Sequence, residues 1–127
     1  MTTHDLAYSR GITLVDYGRE VEEEIARLQE AIEKVPTVAA RYPSRWLALK
    51  LLEEDSDVIS KLQASVVGGE TILAQSRKGV AHLTRVYGDD VDTLIADRRY
   101  GFISGLVKEV VHRTVEERAT LSDKIDK

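Results

Sequence analysis

From Tyr17 to Val115 the apolar residues of this chain return every three or four positions, and no other feature narrows the fold as much. Such spacing gathers apolar side chains on one face of a helix. No alternating run is long enough to make a strand, apart from the brief GITLVDYG at Gly11 to Gly18. The pattern predicts an all-α fold, a single compact domain of about five helices with a long C-terminal helix.

Punctuation divides the pattern. A first helix from Arg19 to Lys34 carries Val21, Ile25, Leu28 and Ile32 on one face. Glu20, Glu22, Glu23 and Glu24 crowd its first turn, where the helix dipole favours carboxylates, and Pro36 is expected to end it. A second helix opens at Pro43; its Trp46, Leu47, Leu49, Leu51 and Leu52 cover so much of the circumference that it should be largely buried. Ser56 or Asp57 is expected to cap a short helix with Ile59, Leu62 and Val66, ended by Gly68-Gly69. A fourth helix, Glu70 to Tyr87, stripes Ile72, Leu73, Ser76, Val80, Leu83 and Tyr87. The last starts at the Asp89-Asp90 cap and runs to about Val115, burying Val91, Leu94, Ile95, Phe102, Leu106 and Val110.

That last helix contains Gly101 and Gly105, each costing about 1 kcal/mol relative to alanine in a helix interior. Their spacing puts them on one face. It predicts a notch over which another helix, with the Trp46 helix as candidate, crosses nearer than the usual ~8 to 10 Å.

The balance of 18 basic and 22 acidic residues gives a formal charge of −4 and no basic patch, which argues against a nucleic-acid partner. With no cysteine, disulfides, zinc-thiolate sites and thiol catalysis are excluded, and a reducing compartment is the expectation. No apolar run is long enough to span a bilayer. The first residues lack the apolar core of a secretory signal, so residues 1 to 11 are expected to form a mobile arm. The polar end EERATLSDKIDK has no glycine or proline stop and reads as an unfinished helical pattern.

Catalytic constellations are sparse. Glu109 and His112 have the Glu-x-x-His spacing of di-iron bundles, but such a site needs a second copy, and His82 has Gly79 where the glutamate should stand. Asp89, Asp90 and Asp92 break the calcium-loop pattern at once and read as a helix cap. Glu22 to Glu24 and Glu53 to Asp55 read as charge runs on solvated helix ends. Neither G-x-S-x-G nor G-x-x-x-x-G-K-[ST] occurs, so no nucleophile elbow or nucleotide cradle is present. Arg45 beside the single Trp46, and Arg98, Arg99 and Tyr100 within the last helix, are the candidate contact residues, read either as core anchor and solvated cations or as docking groups.

Three stretches together carry a resemblance: VDYGREVEEEI (Val15 to Ile25), YPSRWLALKLLEEDSDV (Tyr42 to Val58) and IADRRYGFISGLVKEVV (Ile95 to Val111). They closely resemble the cytosolic helical domain of FeoB, the prokaryotic ferrous iron transport protein B, and TLSDKIDK resembles the segment before that family's first membrane helix. The resemblance implies residues 1–16 as a linker from a GTP-binding domain, 17–115 as the helical domain and 116–127 as a polar juxtamembrane segment. It implies a regulatory element that couples the GTP-binding domain to a membrane pore and acts like a GDP dissociation inhibitor, on the cytoplasmic side of the cell membrane. The partners implied are those two domains of the parent. GTP or GDP, magnesium and ferrous iron would belong to the parent, with no cofactor, metal site or enzymatic activity in this chain. Tyr17, Arg45, Trp46, Arg98, Arg99, Tyr100, Gly101 and Gly105 are the expected interaction or packing residues. The alternative is a stand-alone helical interaction or oligomerisation module; whether the chain forms a homo-oligomer stays open.

Overall fold

The computed structural model describes residues 15–65 and 67–126, and within them the chain forms six helices and no strand. They are α1 (Arg19–Glu33), α2 (Pro36–Arg41), α3 (Ser44–Leu52), α4 (Ser56–Ser65), α5 (Gly69–Tyr87) and α6 (Val91–Asp126). The expected all-α fold with a long last helix is what forms. Residues 11–14 of GITLVDYG, the arm at residues 1–11 and Val66 lie outside the described residues.

The sixth helix arises at Pro36. Proline cannot continue α1, because it lacks an N–H and its ring clashes with the preceding turn, yet it suits the first position of a new helix. Val35, held extended as a residue before proline must be, turns the chain, and α2 begins on Pro36 itself. Proline therefore ends one helix and starts another where a simple stop was expected.

α1 is the centre of the bundle, packed mainly on α3 and α5, with α2 on its flank; α4 closes over α3 and α5. Val21, Ile25, Leu28 and Ile32 are fully buried, facing Leu47, Leu51, Leu52, Ile72 and Leu83 in one continuous core. Burying each such side chain stabilises the fold by about 1.5–3 kcal/mol.

The corner between α3 and α4 corrects two expectations. Glu54 adopts the left-handed conformation (φ 58°), the place glycine usually takes after a helix. The Glu54 N–H then bonds the Leu51 carbonyl at 3.1 Å, and the Asp55 N–H bonds the Lys50 carbonyl at 3.1 Å, a Schellman closure. The cap of α4 is Asp55, whose Oδ1 accepts from the N–H groups of Asp57 (3.1 Å) and Val58 (3.2 Å), so neither Ser56 nor Asp57 has that role. Glu53 to Asp55 is thus a built turn and not a solvated charge run.

α6 departs most from its sequence pattern. Val91 and Ile95 are buried and Leu94 and Phe102 pack on the core, but Leu106 and Val110 are half exposed. The helix leaves the body after its first three turns, and every described side chain from Gly105 to Leu121 is exposed. It does not end near Val115 but continues to Asp126, through the polar end whose sequence reads as an unfinished helical pattern.

The close helix approach lies elsewhere than predicted. Among the described residues nothing stands within 4 Å of a Cβ built on Gly101 or Gly105, so no described helix crosses over them, and nothing described in the structure explains this pair. The notch is Gly79 in α5, where an added Cβ would meet Glu24 Oε2 at 3.0 Å and Leu52 Cδ2 at 3.2 Å. Here α1, α3 and α5 converge. Gly79→Val should lower stability by about 1–3 kcal/mol through overpacking, whereas Gly101→Ala should leave the melting temperature unchanged or raise it, by up to about 1 kcal/mol of helix propensity. Thermal unfolding followed by circular dichroism compares the two.

Candidate functional site: the Tyr17 clasp

Ahead of α1 the chain enters through Val15, Asp16, Tyr17 and Gly18, and this short segment is pinned from several sides. Asp16 Oδ1 accepts from the Gly18 N–H at 2.9 Å, a local turn that sends the Tyr17 ring inward to 1% exposure. Gly18 sits at φ 95°, which a residue with a Cβ rarely adopts, and its carbonyl accepts the Glu22 N–H at 2.8 Å to start the helix. An added Cβ there would also stand 3.5 Å from Arg98 Nη1 and 3.7 Å from the Tyr87 hydroxyl.

Two arginines grip the tyrosine. Arg45 of α3 gives both ends of its guanidinium to Glu22, at 2.8 and 2.9 Å, and donates from Nη2 to the Val15 carbonyl at 3.1 Å. Such a two-pronged pair suits a planar guanidinium, fixing orientation as well as charge. Glu22 also accepts the Tyr17 N–H at 3.2 Å. Arg99 of α6 donates from Nε to the Tyr17 hydroxyl at 3.1 Å and from Nη2 to Glu53 at 2.9 Å. Lys50 lies 3.5 Å from the other oxygen of Glu53. Both arginine carbons stand 5.9 Å from the centre of the Tyr17 ring.

The electrostatics follow from these partners. The Glu22 hydrogen bonds hold the Arg45 guanidinium above its ordinary value against the opposing pull of burial. Burial pulls Arg99 down, but the Tyr17 hydroxyl and the Glu53 carboxylate outweigh it and raise its pKa. Beside the clasp, the Tyr87 hydroxyl donates to Glu20 Oε2 at 2.9 Å. Partial burial and that bond push the Tyr87 phenol up from its ordinary value of 10.0, while Glu20 is held down by a backbone hydrogen bond and by Tyr87.

The arrangement is made of hydrogen bonds, ion pairs and cation–ring contacts. Among the described residues no group of histidine, aspartate and glutamate side chains is placed to hold a metal ion, and the arginines of the clasp are engaged. What it does is mechanical: the incoming chain, α1, α3 and the base of α6 are joined at one tyrosine.

The FeoB cytosolic helical domain profile matches residues 17–112, opening on Tyr17 itself. This chain belongs to that family. A relative named as a Fe(2+) transport protein A/Fe(2+) transporter FeoB fusion protein, from Porphyromonas gingivalis, is 32% identical over 115 residues, 88% of this chain. The match takes in 13% of that protein, so the FeoB helical domain described here spans about an eighth of the relative's length. No solved structure matches the chain.

Of the FeoB domain residues singled out from sequence, the fold brings Tyr17, Arg45, Arg98 and Arg99 together. Trp46 is half-buried and stacks on Tyr42, with ring centres 6.0 Å apart and 11° between planes. Tyr100 stands 75% exposed on α6, and Gly101 and Gly105 are open. Among the described residues no helix is long and apolar enough to cross a membrane.

Sequence reasoning missed Glu22, Glu53 and Glu24, which it took for solvated charges. Glu24 is only 3% exposed, over the Gly79 notch, with its Oε1 held by Arg27 and by His82 Nδ1 at 2.8 Å. The glycine three residues before His82, which ruled out a Glu-x-x-His copy, makes room for a carboxylate from another helix. The usable signal was position: Glu24 falls one residue before Ile25, at the edge of the apolar face of α1.

Tyr17→Phe should cost about 0.5–1.5 kcal/mol for the lost Arg99 bond and Tyr17→Ala about 3–5 kcal/mol for the emptied site, both read from chemical unfolding. A cycle pairing Tyr17→Phe with Arg99→Ala should show non-additive losses. In an alkaline titration followed by phenolate absorbance, Tyr87 should ionise late, and Tyr87→Phe should remove that late phase. The raised pKa means its stabilising contribution is complete below pH 10 and is lost as pH climbs through the higher folded value.

Proposed function

We propose that this domain couples a GTP-binding domain to the membrane pore of a ferrous iron transporter and slows the release of GDP. Family membership supports the setting, and the clasp supports the mechanism. The observation that carries it is the Arg99 bridge: one side chain on α6 holds both the hydroxyl of Tyr17, on the incoming segment, and Glu53, at the corner after α3. A displacement of whatever precedes Val15 is therefore delivered to the base of the longest helix. Coupling of this kind requires that the contacts differ between nucleotide states, and by linkage a helix position that favours one state must in turn favour its nucleotide.

The test is the dissociation rate of fluorescent GDP from the parent's GTP-binding domain, alone and followed in one chain by this helical domain. Slower release with the domain attached is expected, and Arg99→Ala in the joined protein should restore part of the faster rate. Equal rates with and without the domain overturn the reading.

A further inference from the structure

α5 runs back along α1, and the seam between them is set at three heights: Tyr87 meets Glu20, His82 meets Glu24, and Gly68 meets Val35. The helices are tight at Gly79, over Glu24, and again at Gly68, where an added Cβ would stand 3.3 Å from Val35 Cγ2. Between these two approaches the facing residues are small. Ala31 and Ala74 do not reach far enough to close the seam, and a slot of about 520 Å³ is left between the helices. Its rim is charged mainly in one sense: Arg27 and Lys34 on the α1 side and Lys78 on the α5 side stand against the carboxylate of Glu30, in a chain whose formal charge is −4. Arg27 is turned to Glu24, and Lys34 lies 3.6 Å from Glu30 with both side chains about three-quarters exposed, a pair that contributes little. Among the described residues Lys78 has no ion pair or hydrogen bond through its side chain, and neither has the half-buried side-chain amide of Gln75 one turn before it.

We propose that this slot docks an extended acidic peptide segment of a partner protein. Charge selects the acidic character, since an anionic segment exchanges water for Lys34 on one side and Lys78 on the other. The floor and Gln75 select a peptide over a simple anion. Ala31 and Ala74 offer apolar surface for small side chains, and an amide presents a donor and an acceptor together, which matches a peptide bond, whereas an anion uses only the donor. Size selects the extended form. From Gly68 to Gly79 α5 rises about 16 Å, so the slot averages on the order of 30 Å² in cross-section, against roughly 80–110 Å² for a helix about 10–12 Å wide. That length accommodates about five extended residues. Side chains of an extended segment alternate, so small residues rest on the alanine floor while carboxylates meet the lysines at the rim. The slot lies roughly 13 Å along α1 from Glu22, at the end away from the clasp. Docking there does not depend on the GDP-release reading, and either can fail without the other.

The probe is a synthetic peptide of alternating alanine and glutamate, titrated into the isotope-labelled 127-residue chain and followed by nuclear magnetic resonance. Amide signals of Ala31, Lys34, Ala74 and Lys78 should shift together and saturate, and added salt should weaken the binding because exposed ion pairs are screened. Lys78→Glu at an unchanged melting temperature, and Ala74→Leu, which fills the floor, should each weaken it at least about tenfold, one decade in Kd. A matching peptide of alanine and glutamine should leave the signals in place. Absence of saturable shifts up to about 5 mM acidic peptide overturns the proposal. Equal shifts from inorganic phosphate overturn it in favour of a simple anion site, and shifts that appear only with vesicles of anionic phospholipid overturn it in favour of a membrane surface.

Discussion

The structure depends on α1 being buried on two sides while its first turns carry a run of glutamates. A carboxylate at a helix start is favoured by the dipole, but a buried one must also be hydrogen-bonded or the helix cannot pack. Each acid therefore has an assigned cation or donor: Glu20 with Tyr87, Glu22 with Arg45, Glu24 with His82 and Arg27. These partners come from α5 and α3 as well as from α1 itself. Satisfying the charges of the central helix thereby fixes where its neighbours stand.

This explains why the fold was legible in the sequence and the site only in half. Periodicity reports which face is apolar, and that placed Val21, Ile25, Leu28 and Ile32 in the core without any knowledge of their neighbours. Periodicity says nothing about which polar residue at the margin of that face will meet a partner distant in sequence. Arg45, Arg98 and Arg99 stood out because they interrupt apolar runs, whereas their partners Glu22 and Glu53 looked like ordinary solvated acids. The same blindness misplaced the glycine notch: Gly101 and Gly105 stood out by spacing, while Gly79 is decisive because Glu24 and Leu52 happen to arrive there from two other helices.

α6 shows the limit from the other direction. Its pattern is apolar well beyond Phe102, and a sequence reading assigns such residues to the core because apolar faces are usually buried. The helix outruns the body instead, so the inference that Leu106 and Val110 are covered was sound chemistry with the covering surface missing from the described chain. The span matched by the family profile nonetheless extends to residue 112, well along the projecting part. The start of the projection, up to residue 112, therefore lies within the domain that defines the family.

The corner at Glu53, Glu54 and Asp55 has a consequence for how this domain tolerates change in chain length. Surface turns ordinarily absorb an inserted residue at small cost, since closing a slightly longer loop is cheap. Here three successive residues act at three separate places: Glu53 receives Arg99, Glu54 makes the left-handed turn, and Asp55 caps the next helix. One added residue would move an acceptor away from α6, put the wrong residue in the left-handed position, or leave α4 uncapped. The turn works as a fixed-length gauge, setting the seat of α6 by the count of residues between two helices that α6 itself scarcely touches.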